Sequence, residues 1–188
     1  MYAQGLQSLG SVTVQPANVS RRSQAMLMLK NIDKVQVKET VKLDGHRYYH
    51  IDIFLKQVQS RIPTNANEGE EIPQRRPDLQ VKHRYSDFMD LRYAMHKHAR
   101  GSHEDHTTCS YCTQIVNYAV VGRAQPGLFT ALTQVGSSAK IALVDAFIND
   151  MMQLALSAEV QYPGRCRAQH TVPALLSAFL QPEPQDEY

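Results

Sequence analysis

The apolar positions change period several times along the chain, and each change marks an element. From Asp33 they alternate: Val35, Val37 and, after a shift, Val41 and Leu43 spell a strand. Asp44-Gly45 is a strong hairpin signal. Residues 48–55 return as a second strand, with Tyr49, Ile51, Ile53 and Leu55 on one face. Residues 79–83 alternate again as a third. The period then turns helical, with Phe88, Leu91 and Met95 on one face. Ser86 is well placed to cap this helix, and Asp87 and Asp90 favour the positive end of its dipole. Lys97, His98 and Arg100 gather in its last turn, and Gly101 offers a stop. Residues 113–121 are semi-apolar and fit no single period. Residues 128–135 read as a short helix ended by Gly136, and Ser137-Ser138 can cap the next one. Ile141, Val144, Phe147, Ile148, Met151 and Ala155 give that long helix one broad apolar stripe. Residues 171–180 form a last helix, with Pro173 in its first turn and Leu175, Leu176, Phe179 and Leu180 for the core.

Antiparallel strands followed by helices predict an α+β fold, a three-stranded antiparallel sheet packed on a helical subdomain. The domain spans residues 30–182. Residues 1–29, rich in Gln, Ser and Gly, read as a flexible tail, although the apolar run at 25–29 either starts the domain or packs back on it. Residues 60–77 hold prolines and charges and read as a mobile surface loop. Residues 183–188 form an acidic tail.

Composition narrows the function. Of the 188 residues 43% are hydrophobic, enough for a sizeable core in one domain. A net charge of +2 gives no global field for nucleic acid, so none is expected as a partner. The first ten residues lack the apolar core of a signal peptide. The most apolar stretch, residues 141–155, is interrupted by Asp145, Asn149 and Asp150, so no membrane span is expected. Three cysteines without a secretory signal point to reduced thiols in the cytoplasm, or to metal ligands.

Two groups of residues carry candidate chemistry. Arg84 and Tyr85 sit where a strand hands over to a helix. An arginine fork there can hold a phosphate by two parallel hydrogen bonds, and a tyrosine ring can lie against a sugar-like ring. Spacing alone favours the plainer reading, a strand-end arginine paired with a surface carboxylate. The second group has ligand-like spacing: His103, His106, Cys109 and Cys112 at intervals of three, then Cys166 and His170. Cys109, Cys112, Cys166 and His170 would make a tetrahedral zinc site of the Cys3His kind. The plainer alternative is three idle thiols with solvent-facing histidines. A catalytic zinc of the deaminase type would need His-x-Glu and a proline before Cys109, and neither is present. No nucleophile elbow, phosphate-cradling glycine loop or His-Glu-x2-His occurs, so the chain is not expected to be an enzyme.

The stretch Arg84-Tyr85-Ser86-Asp87-Phe88, followed by Leu91, resembles the signature of the PX (phox homology) family. Residues 140–147 are similar to that family's second signature, and residues 172–180 to its closing helix. The resemblance covers roughly residues 31–181, in the expected order. It implies a phosphoinositide-binding, membrane-targeting module that reads phosphatidylinositol 3-phosphate on endosomal or vacuolar membranes. By the same resemblance Arg84 holds the 3-phosphate and Tyr85 stacks on the inositol ring. Lys140 stands where the family has an arginine for the ring hydroxyls; lysine keeps the charge but loses the planar fork. A solvated lysine at a helix start is the competing reading. The family's proline-rich loop with a lysine for the 1-phosphate is not present, and Arg123 in residues 122–127 is the stand-in. Leu128-Phe129 beside it either dips into the bilayer or packs in the core. A PX-like fold would bring the cysteine-bearing helix ends together on the side away from the lipid pocket, as a structural zinc requires. The alternative function is a protein-interaction scaffold with a degraded lipid pocket.

Overall fold

Asp44 and Gly45 both take positive φ, 50° and 77°, the left-handed pair that a two-residue hairpin turn demands. They join β1 (Ile32–Leu43) to β2 (His46–Leu55), and β3 (Leu79–Arg84) pairs on the far side, giving an antiparallel sheet of order β1-β2-β3. A computed structural model describes residues 21–57, 75–103, 108–122, 136–157 and 166–182. Five helices complete the described architecture: α1 (Arg21–Asn31), α2 (Tyr85–Arg100), α3 (Ser110–Val121), α4 (Ser137–Leu156) and α5 (Ala168–Phe179). The fold is therefore α+β, a sheet packed on a helical subdomain.

The predicted face of the sheet enters the core, but the central strand β2 is buried on both faces from Ile51 to Phe54, and Val41 and Leu43 are not buried. Tyr49, Ile51 and Ile53 on β2, Val35 and Val37 on β1 and Val81 on β3 all enter the core. The shift in the pattern of β1 is a register irregularity between Val37 and Thr40. Beyond it the hairpin arm leaves the core, so Lys42, Leu43 and Arg47 are exposed.

β1 is an edge strand, and α4 covers that edge. The Asp145 carboxylate accepts the Val37 N–H at 2.7 Å, and one turn later the Asn149 amide donates to the Val35 carbonyl at 3.4 Å. The two polar breaks in the apolar helix thus stand in for a missing strand. The apolar stripe of α4 meets the core as predicted, with Val144, Phe147, Ile148, Met151 and Ala155 buried.

Phe88 is fully buried where sheet, α2 and α5 meet. Its ring lies edge-on to Tyr49 at 5.9 Å, to Phe179 at 5.1 Å and to His83 at 6.2 Å. His83 in turn stacks on Phe179 at 3.8 Å, and its Nε2 is 2.7 Å from the Phe179 carbonyl.

Several boundaries differ from the sequence expectation. The domain starts before residue 30: α1 packs on α5 and buries Ala25 and Leu29, so these two residues of the apolar run belong to the core rather than to a tail, while Leu27 between them is exposed. Residues 113–121 lie within α3, whose buried positions Tyr111, Cys112, Ile115 and Ala119 are a helical stripe. Ser86 is inside the first turn of α2, because the strand runs into the helix without a turn between them. Asp87 does the capping, accepting the Arg84 N–H at 2.7 Å. Pro173 sits in the middle of α5, which begins at Ala168; at that position proline leaves the Gln169 carbonyl without its helical donor. Most of the predicted loop 60–77 is outside the described residues. Its end is anchored: Arg75 donates to the Leu55 carbonyl and to Asp78, and its guanidinium lies 5.7 Å from the Phe54 ring centroid.

Two predictions follow from this packing. Phe88→Ala should cost about 3–5 kcal/mol in urea denaturation, the range for deleting a buried aromatic ring that several elements share. The second concerns Asp52, buried on the opposite sheet face, where it takes a 2.7 Å ion pair from Lys38 and a 2.7 Å hydrogen bond from Gln80. Burial alone would push this carboxyl up, but the Lys38 and Gln80 hydrogen bonds and the Lys38 charge outweigh it and hold it below its ordinary 3.8. A carboxyl held low in the folded chain contributes its full stability above the ordinary value and loses it as pH falls toward the folded one. The thermal midpoint should therefore drop as pH falls through and below about 4. Lys38→Met should lower stability at neutral pH and flatten that drop.

Candidate functional site

The junction of β3 and α2 gathers positive charge from three parts of the chain. Arg84 is the last strand residue, and its register partner on β2 is Tyr48. The guanidinium lies 5.1 Å from the Tyr48 ring centroid, with Nε and Nη2 donating to the Tyr48 hydroxyl at 2.9 and 2.6 Å. Tyr85 opens α2 and is half-buried, its ring 6.1 Å from that of Tyr49. Lys140, in the first turn of α4, brings its ammonium to 5.9 Å from the Tyr85 ring centroid. So Lys140 meets Tyr85 and Arg84 meets Tyr48, at neighbouring residues of the β3–α2 junction.

The sequence reading missed Arg47. It lies next to Tyr48 on the exposed hairpin arm and donates to the Ser137 hydroxyl at 2.7 Å, tying β2 to the start of α4. Across the hairpin its register partner is Lys42. Two like charges directly opposed on an antiparallel pair repel one another. A net charge of +2 hides such a patch, because it reports the sum and not the distribution. Arg123, Leu128 and Phe129 lie outside the described residues. A cleft of about 670 Å³ between α3 and α4 is lined by Gln114, Asn117, Tyr118, Asp150, Gln153 and Leu154, and Arg84, Tyr85 and Lys140 take no part in it.

A second cluster sits past the other end of α2. Cys109 is the N-cap of α3, and its sulfur accepts the Cys112 N–H at 3.4 Å. Cys166 precedes α5 and places its sulfur 3.3 Å from that of Cys112 and 3.7 Å from that of Cys109. None of the three is in a disulfide. One ligand atom each from His103, Cys109, Cys112 and Cys166 all lie within 4.8 Å of one another, a group that could hold a metal ion. His170, the expected fourth ligand, is not in it. The helix α5 already runs through residue 170, and the His170 side chain is exposed. His106 lies outside the described residues.

Burial pushes the Cys112 thiol far up, and its hydrogen bonds with Cys166 and Cys109 add to the rise. Burial also raises Cys109, but the hydrogen bonds it receives from the Cys112 backbone and from the neighbouring thiols outweigh this and bring it down. Two polar atoms of this region are buried without a partner, His103 Nε2 and the Tyr111 hydroxyl.

The Arg84 clamp is testable directly. Tyr48→Phe should change global stability by no more than about 1.5 kcal/mol, the net scale of a hydrogen bond. The Arg84 Nε–H should meanwhile lose its protection from solvent exchange, as read by nuclear magnetic resonance. Among the described residues no helix is long and apolar enough to cross a membrane. No family model, no curated protein and no solved structure matches the chain.

Proposed function

We propose that the basic cluster binds the phosphorylated inositol headgroup of a membrane lipid, and that the domain is a phosphoinositide-reading, membrane-targeting module. The observation that carries this is the approach of Lys140 to the Tyr85 ring beside Arg84. Lys140 and the Tyr85 ring adjoin the residue that carries an arginine fork, and a cation, a fork and an aromatic face are the chemistry a phosphorylated ring needs. The opposition of Lys42 and Arg47 on the hairpin arm supports the same reading, since an anion would offset their repulsion. The likeness of residues 84–88 to the PX signature names the lipid as phosphatidylinositol 3-phosphate and the membrane as endosomal or vacuolar.

A second reading is a protein-interaction scaffold with a degraded pocket. The Tyr48 hydroxyl favours it, because two donors of the Arg84 fork are already engaged there. Liposome sedimentation with a panel of phosphoinositides separates the two. Under the headgroup reading the parent sediments with the 3-phosphate lipid, Arg84→Ala loses detectable binding with its fold intact, and Arg84→Lys is clearly weakened. Lys140→Ala should cost less, and Lys140→Arg should strengthen binding. A folded parent that sediments with none of the panel would favour the scaffold. Raised salt should weaken every variant, because exposed charges are screened over a Debye length of about 8 Å near physiological ionic strength.

The cysteine cluster has a structural part in this proposal, as a zinc site. Thiolate sulfurs with an imidazole are a soft, tetrahedral donor set that suits zinc. A chelator should then lower the melting temperature.

A further inference from the structure

The donors around Cys112 come from three separate segments. His103 lies just beyond α2, Cys109 and Cys112 form the start of α3, and Cys166 stands before α5. We infer that His103, through its buried Nε2, completes a closed Cys3His zinc site with Cys109, Cys112 and Cys166, and that this site fastens α2, α3 and α5 together. The inference rests on the reading that the cluster takes zinc. It adds the fourth ligand and the consequence that no coordination position is left for a substrate.

Four observations lead to it. The four ligand atoms lie within 4.8 Å of one another, while four donors held about 2.3 Å from a tetrahedral zinc stand about 3.8 Å apart. The two contacts of Cys166 with its partner sulfurs, 3.3 and 3.7 Å, are already close to that edge. His103 Nε2 is buried and has no hydrogen-bond partner, which is the state of an imidazole nitrogen whose partner is a cation. The Cys112 N–H points at the Cys109 sulfur, the backbone-to-sulfur bond that steadies a thiolate at a helix start. Three thiolates, one neutral imidazole and Zn²⁺ sum to one negative charge, and the positive end of the α3 dipole meets it. On loading, each thiol gives its proton to solvent.

The site is closed, and so structural. It has four protein donors, and Cys112 and Cys166 are buried. The Cys-x2-Cys of one helix start supplies two donors that no other segment needs to position. His103 and Cys166 are the ones that hold α2 and α5 to it, so their loss should release a helix as well as a ligand.

The test uses the full chain, purified and then reconstituted with zinc chloride or cobalt(II) chloride. The parent, His106→Ala and His170→Ala should each carry one zinc per chain by elemental analysis. Their cobalt forms should give the strong visible bands of a tetrahedral thiolate site. His103→Ala should bind zinc at least about tenfold more weakly in chelator competition, the scale on which even outer-shell partners act. Should His103→Ala fail to fold, His103→Cys is the decisive variant: it should restore tight binding with added sulfur-to-cobalt charge transfer. Zinc affinity and cobalt spectra unchanged in His103→Ala would overturn the ligand assignment and leave the zinc reading standing. Loss of zinc in His170→Ala or His106→Ala, with His103→Ala unaffected, would reassign the fourth ligand. A parent that takes up no zinc or cobalt would overturn both readings.

Discussion

Phe88 sets the geometry of the whole domain. Its ring is the shared wall between Tyr49 on the sheet, His83 at the strand end and Phe179 near the end of α5. Because the strand passes straight into α2, the position of Phe88 in the core also fixes Arg84 and Tyr85 at the surface. The next residues outward have no freedom to choose another direction: Asp87 closes the Arg84 N–H, and the Tyr48 hydroxyl holds the guanidinium. A core contact thereby determines the orientation of a surface arginine.

The second constraint is the exposed edge of β1. An open edge invites pairing with another chain, and α4 removes that edge with Asp145 and Asn149. The same docking carries the start of α4 to the Tyr85 ring, so Lys140 is brought to the junction by a hydrogen-bonding need of the backbone. Arg47 and Ser137 add a second tie between the hairpin arm and that helix start. The basic cluster is the meeting place of these two constraints.

The two clusters stand at the two ends of α2. Its 16 residues span about 24 Å, with Tyr85 at one end and His103 just past the other. α5 runs alongside, from Cys166 to the Phe179 ring that braces His83. The cysteine cluster therefore sits where helix ends would otherwise fray, and the basic cluster where helix beginnings meet the sheet.

Much of the chain was legible as pattern. Alternation gave the three strands because one face of each packs on the helices, although β2 is also buried on its other face at Asp52 and Phe54, and the shift after Val37 marked a real irregularity. The helical stripe gave α2 and α4, and the cysteine spacing pointed to three thiols that do converge. Where the pattern failed, a longer-range contact had decided. The run at 25–29 has no amphipathic period of its own, and its packing, mainly on α5, buries Ala25 and Leu29 while Leu27 stays exposed. Ser86 is a good cap residue, but the register of β3 carried the chain into the helix before it. His170 has the spacing of a ligand, yet the course of α5 leaves it exposed, while His103 arrives from a neighbouring helix end. Local sequence determined where elements form, since that depends on the period of burial and the chemistry of turns. Which side chains from distant segments meet, Arg47 with Ser137 or His103 with the cysteines, was decided by tertiary packing, because it depends on distances between segments that no local pattern encodes.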